Sequence, residues 1–223
     1  MMDKKALQKI IKEFFNTFAK QHAFIFYKPT IMLRVCNDTL HIISFDLISG
    51  GLNCNIAIQP LYIPSDTINL SFGNRLNHFK IRLPGTWGYS NDKKDIENDL
   101  TQIKELLEMN ALSWFNEVGS PEGIISFIES GLAEDISIIV GFPPIFRNMY
   151  LGFSYLYTNK ISFAEKPLQE VIEQCKDDKR DWVVQQNNMI NKFFELAKND
   201  PNKIGERLNE FIIMTKDNLK IKD

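Results

Sequence analysis

Five arginine and aromatic side chains in the first 90 residues are the best candidates for contacts with another molecule. They are Arg34, Arg75, Arg82, Trp87 and Tyr89. These residue types are the most enriched among side chains that dominate binding energy in protein interfaces. The two aromatics flank a glycine in a loop-like segment, where recognition residues are common. The alternative, which is favoured, is that Trp87 fills the space between a sheet and the next helix and that the arginines are surface charges.

The sequence has no pattern typical of a catalytic, metal or cofactor site. It lacks G-x-S-x-G and the glycine-rich loops that bind phosphates. The three histidines, His22, His41 and His78, show no spacing typical of zinc, and His41 is expected on a sheet face with an ordinary partner. Residues 90–93 have the S-x-x-K spacing, but Ser90 is explained as a helix cap. No catalytic residue, metal or cofactor is therefore predicted, and the balance is against an enzyme.

Composition and charge disfavour several classes of partner. The chain has 26 Lys and Arg residues against 28 Asp and Glu residues, a net charge of −2, which gives no basic excess for nucleic acid. Three scattered cysteines, Cys36, Cys54 and Cys175, favour a reducing compartment over a disulfide framework. No signal peptide and no apolar run of about 20 residues is found. We therefore expect a cytoplasmic protein that binds neither nucleic acid nor membrane.

The first half of the chain changes from a helical to an alternating pattern. Residues 3–20 are predicted to form a helix with Asp3 as its N-cap, because apolar residues recur at helical spacing, namely Leu7, Ile11, Phe14 and Phe18. Residues 31–36, 40–47 and 53–62 then alternate with period two and are separated by turns at Asn37-Asp38 and at residues 49–51. Residues 68–72 and 79–83 supply one or two further strands. Because the connections are short, we predict antiparallel pairing.

The second half is helical, with one ambiguous segment. Ser120, Pro121 and Glu122 have the sequence of a helix start. Residues 136–140 are β-branched but lie among helices, so helix and strand both remain open there. Four helices follow, and Asp181 and Asp200 are expected to cap the last two.

These patterns predict an α+β fold. It comprises an N-terminal helix, an antiparallel meander of four to five strands packed with helices, and an all-helical C-terminal part. We divide the chain into a sheet domain, residues 1–130, and a helical subdomain, residues 131–223, docked on the first.

The order of short motifs over about residues 1–130 resembles the bacterial DUF4304 family. The motifs that carry the resemblance are the Gly50-Gly51 hairpin, Gln59 to Pro64, Gly73 to Leu76, Trp87 to Tyr89, Leu112 to Phe115 and Ser120 to Glu122. The family consists of small α+β proteins without established catalytic residues. The resemblance therefore implies a fold and little chemistry.

Residues 149–175 resemble a single tetratricopeptide helix pair. Leu151, Gly152, Tyr155, Ala164 and Leu168 follow the pattern of that repeat, in which small residues let two helices approach closely. The chain departs from the repeat in having one copy, a proline at position 167 and Asn148 in place of a large aromatic residue. We therefore expect a helical hairpin with repeat-like packing.

Two functional hypotheses from different classes follow, and a third, a purely structural part of a larger assembly, would instead show a contiguous exposed apolar patch. The leading one is a non-enzymatic protein-binding module, and an immunity-type protein that neutralises a toxin domain is one instance, suggested by small bacterial α+β proteins of this kind. The rival is a small-ligand binder or enzyme with its site in the cleft between the sheet and the helical part. A deep pocket with convergent polar groups would favour the rival, whereas a filled core with open grooves would favour the binder. The sequence leaves the oligomeric state open.

Overall fold

The computed structural model describes residues 3–48, 51–76, 87–88, 92–135 and 142–221. Within these ranges the chain forms an N-terminal helix, an antiparallel sheet and then a series of helices. This order confirms the α+β fold class.

Helix α1 (Lys4–Gln21) packs its apolar stripe on one face of the sheet. Phe15, rather than the expected Phe14, lies at the centre of the contact, with its ring centroid 4.9 Å from that of Phe45. Asp3 occupies the N-cap position in extended conformation, but its side chain makes no capping hydrogen bond. The stripe therefore determines how α1 docks, and its apolar burial stabilises the helix more than its cap does.

The sheet is a consecutive antiparallel meander. Its strand order is β1-β2-β3-β4-β5, with β6 also paired to β4. The strands are β1 (Ile25–Lys28), β2 (Ile31–Cys36), β3 (Thr39–Ile48), β4 (Gly51–Pro60), β5 (Gly73–Arg75) and β6 (Trp87–Gly88). Asn37 and Asp38 connect β2 to β3 with φ of 49° and 53°, as a two-residue hairpin turn requires.

The far edge of the sheet differs from the expectation. Residues 68–72 form bends, and the strand lies immediately after them at β5. Gly73 is required there because an added Cβ would lie 2.1 Å from the carbonyl oxygen of Ile56 on β4. The strand expected at residues 79–83 lies outside the described residues, as does the ambiguous segment 136–140.

Three helices follow the sheet. They are α2 (Lys93–Leu106), α3 (Leu112–Val118), which continues α2 through a π-helical turn (Leu107–Ala111), and α4 (Pro121–Glu129). The Ser120 hydroxyl accepts a hydrogen bond from the Gly123 amide at 3.0 Å, which confirms the expected cap. The cap of α2 is Asp92, which accepts from the Lys94 amide at 2.8 Å; the expected Ser90 lies outside the described residues.

Four longer helices complete the fold. They are α5 (Pro144–Tyr157), α6 (Ile161–Gln174), α7 (Asp181–Asn199) and α8 (Lys203–Leu219). Neither expected cap is found: Asp181 is the first residue of α7, and α8 begins after Asp200 and Pro201, at Lys203. α5 and α6 pack so closely that an added Cβ on Gly152 would lie 2.5 Å from Leu168 Cγ.

One continuous hydrophobic cluster extends from Leu7 on α1 to Ile221 after α8. The division at residue 130 stays a prediction. None of the helices among the described residues combines the length and the apolar character needed to cross a membrane.

Candidate functional site

The five predicted contact residues do not form one surface. Arg34 is half-buried on β2, Arg75 is exposed at the end of β5, and Trp87 is 3% exposed on β6. Arg34 and Arg75 are separated by three strand spacings across the sheet, about 14 Å, and are also offset along the strands. Trp87 belongs to the hydrophobic core, as the favoured alternative expects. Arg82 and Tyr89 lie outside the described residues.

Arg34 belongs to a buried network centred on His41. Its guanidinium lies 4.8 Å from the ring centroid of Phe24, and its Nε and Nη2 lie 3.2 and 3.0 Å from His41 Nδ1. The His41 ring is stacked on that of Phe115, with centroids 4.8 Å apart and planes 5° apart. Arg34 is therefore held in place by β3 and α3 and is poorly placed to reach a partner.

The other side of the His41 ring joins the sheet to the turn before α4. Its Nε2 lies 2.9 Å from the carbonyl oxygen of Gly119, and Thr39 Oγ1 lies 2.5 Å from the same oxygen. An added Cβ on Gly119 would lie 2.1 Å from His41 Nε2, so only glycine fits at this position. The contact depends on residues about 78 positions apart, which the sequence pattern does not relate to each other.

His41 is neutral in this environment. Burial lowers its pKa to about 4, and the nearby Arg34 charge acts in the same direction, against the hydrogen bond to Gly119. Because Arg34 can only donate, Nδ1 must accept, and Nε2 carries the proton that it donates to Gly119. The ring thus has a partner at each nitrogen, and its role is to fix the α3–α4 turn on the sheet.

Tyrosine hydroxyls connect the helical part to the sheet part. Tyr62 lies after β4, and its hydroxyl is 2.7 Å from the buried Ser154 hydroxyl on α5. Tyr157 donates to Asp38 in the β2–β3 turn at 2.7 Å, and Tyr155 donates to Glu129 at the end of α4. Burial raises the pKa of Tyr155 to about 12 and raises that of Tyr62 and Tyr157 further. These phenols remain protonated, and their hydrogen bonds hold α5 in place.

Within the described ranges, no three His, Cys, Asp or Glu side chains are grouped so that they could hold a metal ion.

A large open cavity runs between α7 and α8. It has a volume of about 740 Å³ and continues into a hollow of about 340 Å³ that shares Pro64, Gln185 and Met189. We call the two together the α7–α8 groove. Phe193 and Phe211 form its floor, with ring centroids 5.7 Å apart. Further side chains that line it are Trp182, Gln186, Asn188, Lys192, Leu196, Asn199, Arg207 and Asn218.

A buried amide in this groove lacks a hydrogen-bond partner. Gln186 is 8% exposed, and its Nε2 contacts no acceptor in the described part of the chain. Leaving a buried donor unsatisfied costs about 1–3 kcal/mol. Buried polar groups in folded proteins are nearly always hydrogen-bonded, so an unpartnered one in an open groove identifies a candidate contact site.

Sequence reasoning did not find this groove, although a signal for it exists. Residues 185–188 read Gln-Gln-Asn-Asn in the middle of an amphipathic helix. Asparagine is a poor helix former, so two asparagines after two glutamines, on the same helix as the buried Val183 and Ile190, are unusual. The groove itself requires α8 and the loop at Pro64, which no local pattern places beside α7.

Two smaller cavities lie elsewhere among the described residues. A groove of about 630 Å³ lies between α6 and α7, lined by Leu156, Leu168 and Phe194 among others. A polar hollow of about 400 Å³ lies beside Arg75, Asp46 and Asn55 at the edge of β4. Asn55 donates to Asp46 at 2.7 Å there, so these two side chains partner each other.

The chain matches no family model, no curated protein and no solved structure. The resemblances to the DUF4304 family and to the tetratricopeptide pair therefore stay predictions.

Proposed function

We propose that this protein is a non-enzymatic protein-binding module that binds its partner in the α7–α8 groove. The observation that carries the proposal is the form of the groove, which is long and open, with an aromatic floor and polar rims. An apolar centre surrounded by a polar rim is the usual anatomy of a protein interface. An immunity-type protein that neutralises a toxin domain is one instance of this function.

The most buried titratable groups support the same proposal. Burial shifts the pKa of His41 down and the pKa of Cys54 and Tyr62 up, so each is kept in its neutral form. All three are buried in the core, and none is among the residues that line the groove. A catalytic acid or base would instead be expected where a substrate can reach it.

Affinity capture with matched variants tests this proposal. The full chain carries a tag and is used as wild type, as Met189→Glu in the groove and as Met109→Glu on the exposed π-helical turn. We expect wild type and Met109→Glu to recover the same stoichiometric protein from an extract of the source cells, and Met189→Glu to lose it. Recovery of no stoichiometric partner, or equal recovery by Met189→Glu, would contradict the proposal.

The immunity instance has its own test. The recovered partner is expressed in bacteria with and without this chain. If the partner is a toxin, growth stops without the chain and resumes with it, and Met189→Glu fails to restore growth. A partner that does not affect growth would exclude an immunity-type protein but would not contradict the proposed protein-binding function.

A small-ligand binder is the second candidate. The hollow of about 340 Å³ lies at the junction of the sheet part and the helical part, between Ile63 and Asp66 on one side and Trp182 on the other. Its volume is within the range of small-molecule sites. A stoichiometric small molecule released from the purified protein on denaturation would favour this candidate over a protein partner.

A further inference from the structure

We infer that the α7–α8 groove binds an extended, uncharged peptide segment of the partner and holds its main chain through side-chain amides. This inference rests on the proposed protein-binding function and specifies the chemistry of the segment that is bound.

Gln186 provides the first reason. The residue lines the hollow of about 340 Å³ in the groove, and its Nε2 is a buried donor that contacts no acceptor in the described residues. The missing acceptor is a carbonyl or other neutral oxygen that the bound segment brings. The energy that the free protein loses by leaving this donor unpaired is recovered when that acceptor arrives.

The other amides along the groove provide the second reason. Gln185, Asn188 and Asn199 are exposed on the α7 side, and Asn218 stands on the α8 side. A carboxamide both donates and accepts, which matches the paired N–H and C=O groups of a peptide main chain. An extended segment leaves these groups free for such contacts, whereas an α-helix uses them internally.

The charges of the groove determine the character of the segment. Lys192 and Arg207 line it together with Glu195 and Asp66, so two positive charges are balanced by two negative ones. Arg207 is also paired with Glu210 on its own helix. A balanced groove complements an uncharged segment and gives no advantage to an acidic or phosphorylated one. The apolar floor accepts aliphatic or aromatic side chains, and Met189 adapts to their shape.

The length of the groove sets the size of the segment. Groove-lining residues on α7 extend from Trp182 to Asn199, about 25 Å along the helix axis. An extended chain covers this distance in about seven or eight residues.

The test uses a phage-displayed library of random twelve-residue peptides and the full chain. Peptides are selected on the wild type and counter-selected on Gln185→Trp, an exposed position where the indole fills the groove without disturbing the core. Affinities of the selected peptides are measured by fluorescence polarisation, and their conformation in the complex by far-ultraviolet circular dichroism.

We expect selected peptides to be uncharged, to bind without a gain in helical signal and to bind at least about tenfold more weakly to Gln186→Leu, as for loss of one well-formed hydrogen bond. Gln102→Leu, an exposed position on α2, is the matched control and should bind normally. Peptides that become helical on binding, or that are predominantly charged, would overturn the inference.

The stability of Gln186→Leu separates a binding role from a structural one. If the Gln186 amide is paired only in the complex, its replacement by a leucine should raise the melting temperature of the free protein by about 2–4 °C. A lower melting temperature would show a structural role and overturn the inference. If no peptide distinguishes the wild type from Gln185→Trp, the inference also fails, while capture of a folded partner that Met189→Glu loses would still support protein binding.

Discussion

His41 and Gln186 are both buried polar side chains, but their surroundings differ. His41 is 1% exposed, with Arg34 at one ring nitrogen and Gly119 at the other. Gln186 is 8% exposed, and its amide nitrogen contacts no acceptor among the described residues. A buried polar side chain with a partner at each polar atom holds the fold together, whereas the unsatisfied Gln186 amide beside an open groove marks the place where we propose that a partner binds.

The largest expected effect tests how tightly the His41 region is packed. Gly119→Val should lower the free energy of unfolding by at least about 3 kcal/mol, because its side chain would overlap the His41 ring and the Phe115 carbonyl oxygen. Gly205→Ala on α8 is the control, since nothing lies within 4 Å of an added Cβ there, and it should raise stability by up to about 1 kcal/mol. Urea unfolding measures both, and equal stabilities would show that the His41 region is loosely packed.

Replacement of His41 should lower the free energy of unfolding and remove its decrease between pH 7.5 and pH 5. His41→Leu removes the acceptor of the Arg34 Nε and Nη2 and one of the two donors to the Gly119 carbonyl, which we expect to cost about 3 kcal/mol at pH 7.5.

The pH dependence has a definite sign. The pKa of His41 is about 4 in the folded protein, against its ordinary value of 6.5 when unfolded. The unfolded chain therefore binds more protons between these values. The contribution of His41 to the free energy of unfolding is therefore fully present above pH 6.5 and decreases as the pH falls toward 4. The loss amounts to about 2 kcal/mol at pH 5, before most carboxylates titrate. Urea unfolding at pH 7.5 and pH 5 should show this loss in the wild type and not in His41→Leu; the same loss in both would assign it to other groups.

Tyr157→Phe tests whether a hydrogen bond between the helical part and the sheet part also stabilises the fold. The phenol donates to the Asp38 carboxylate, so its removal should lower the free energy of unfolding by about 1.5 kcal/mol. Tyr27→Phe on β1 is the control and should change stability little. If both variants unfold at the same urea concentration as the wild type, the bond to Asp38 contributes nothing to the docking of α5.

The smallest effect has the opposite sign. Gln186→Leu should raise the free energy of unfolding by about 1 kcal/mol, because a buried amide without a partner is replaced by an apolar group of similar size. His41→Leu makes the same kind of change at a satisfied site and lowers stability. If Gln186→Leu and His41→Leu both lower the free energy of unfolding, the Gln186 and His41 sites do not differ in the way proposed.

The general architecture was accessible from the sequence because it depends on local patterns. Period-two segments gave β2, β3 and β4, and helical spacing gave the helices. The Asn37–Asp38 turn followed from residues that tolerate positive φ. The predicted helix starts were less accurate, since Asp181 is the first residue inside α7 and Asp200 caps the C-terminal end of α7 and not the start of α8. Two or three residues near a helix start are often equally suitable caps, and tertiary packing selects among them.

The candidate site was not accessible in the same way. Arginines and aromatics were selected by residue type, but Arg34 is held by Phe24 and His41, and Trp87 lies in the core. Residue type does not reveal burial, which depends on contacts between distant segments. The groove arises because α8 and the loop at Pro64 stand beside α7 at a distance that leaves space, and no local pattern encodes that distance.

The most direct test of the central claim is partner capture with Gln186→Leu beside its control Gln102→Leu. We expect Gln186→Leu to be at least as stable as the wild type in urea and yet to recover much less of the partner, while Gln102→Leu matches the wild type in both. A Gln186→Leu protein that is less stable than the wild type, or one that captures the partner normally, would contradict the proposed role of the groove.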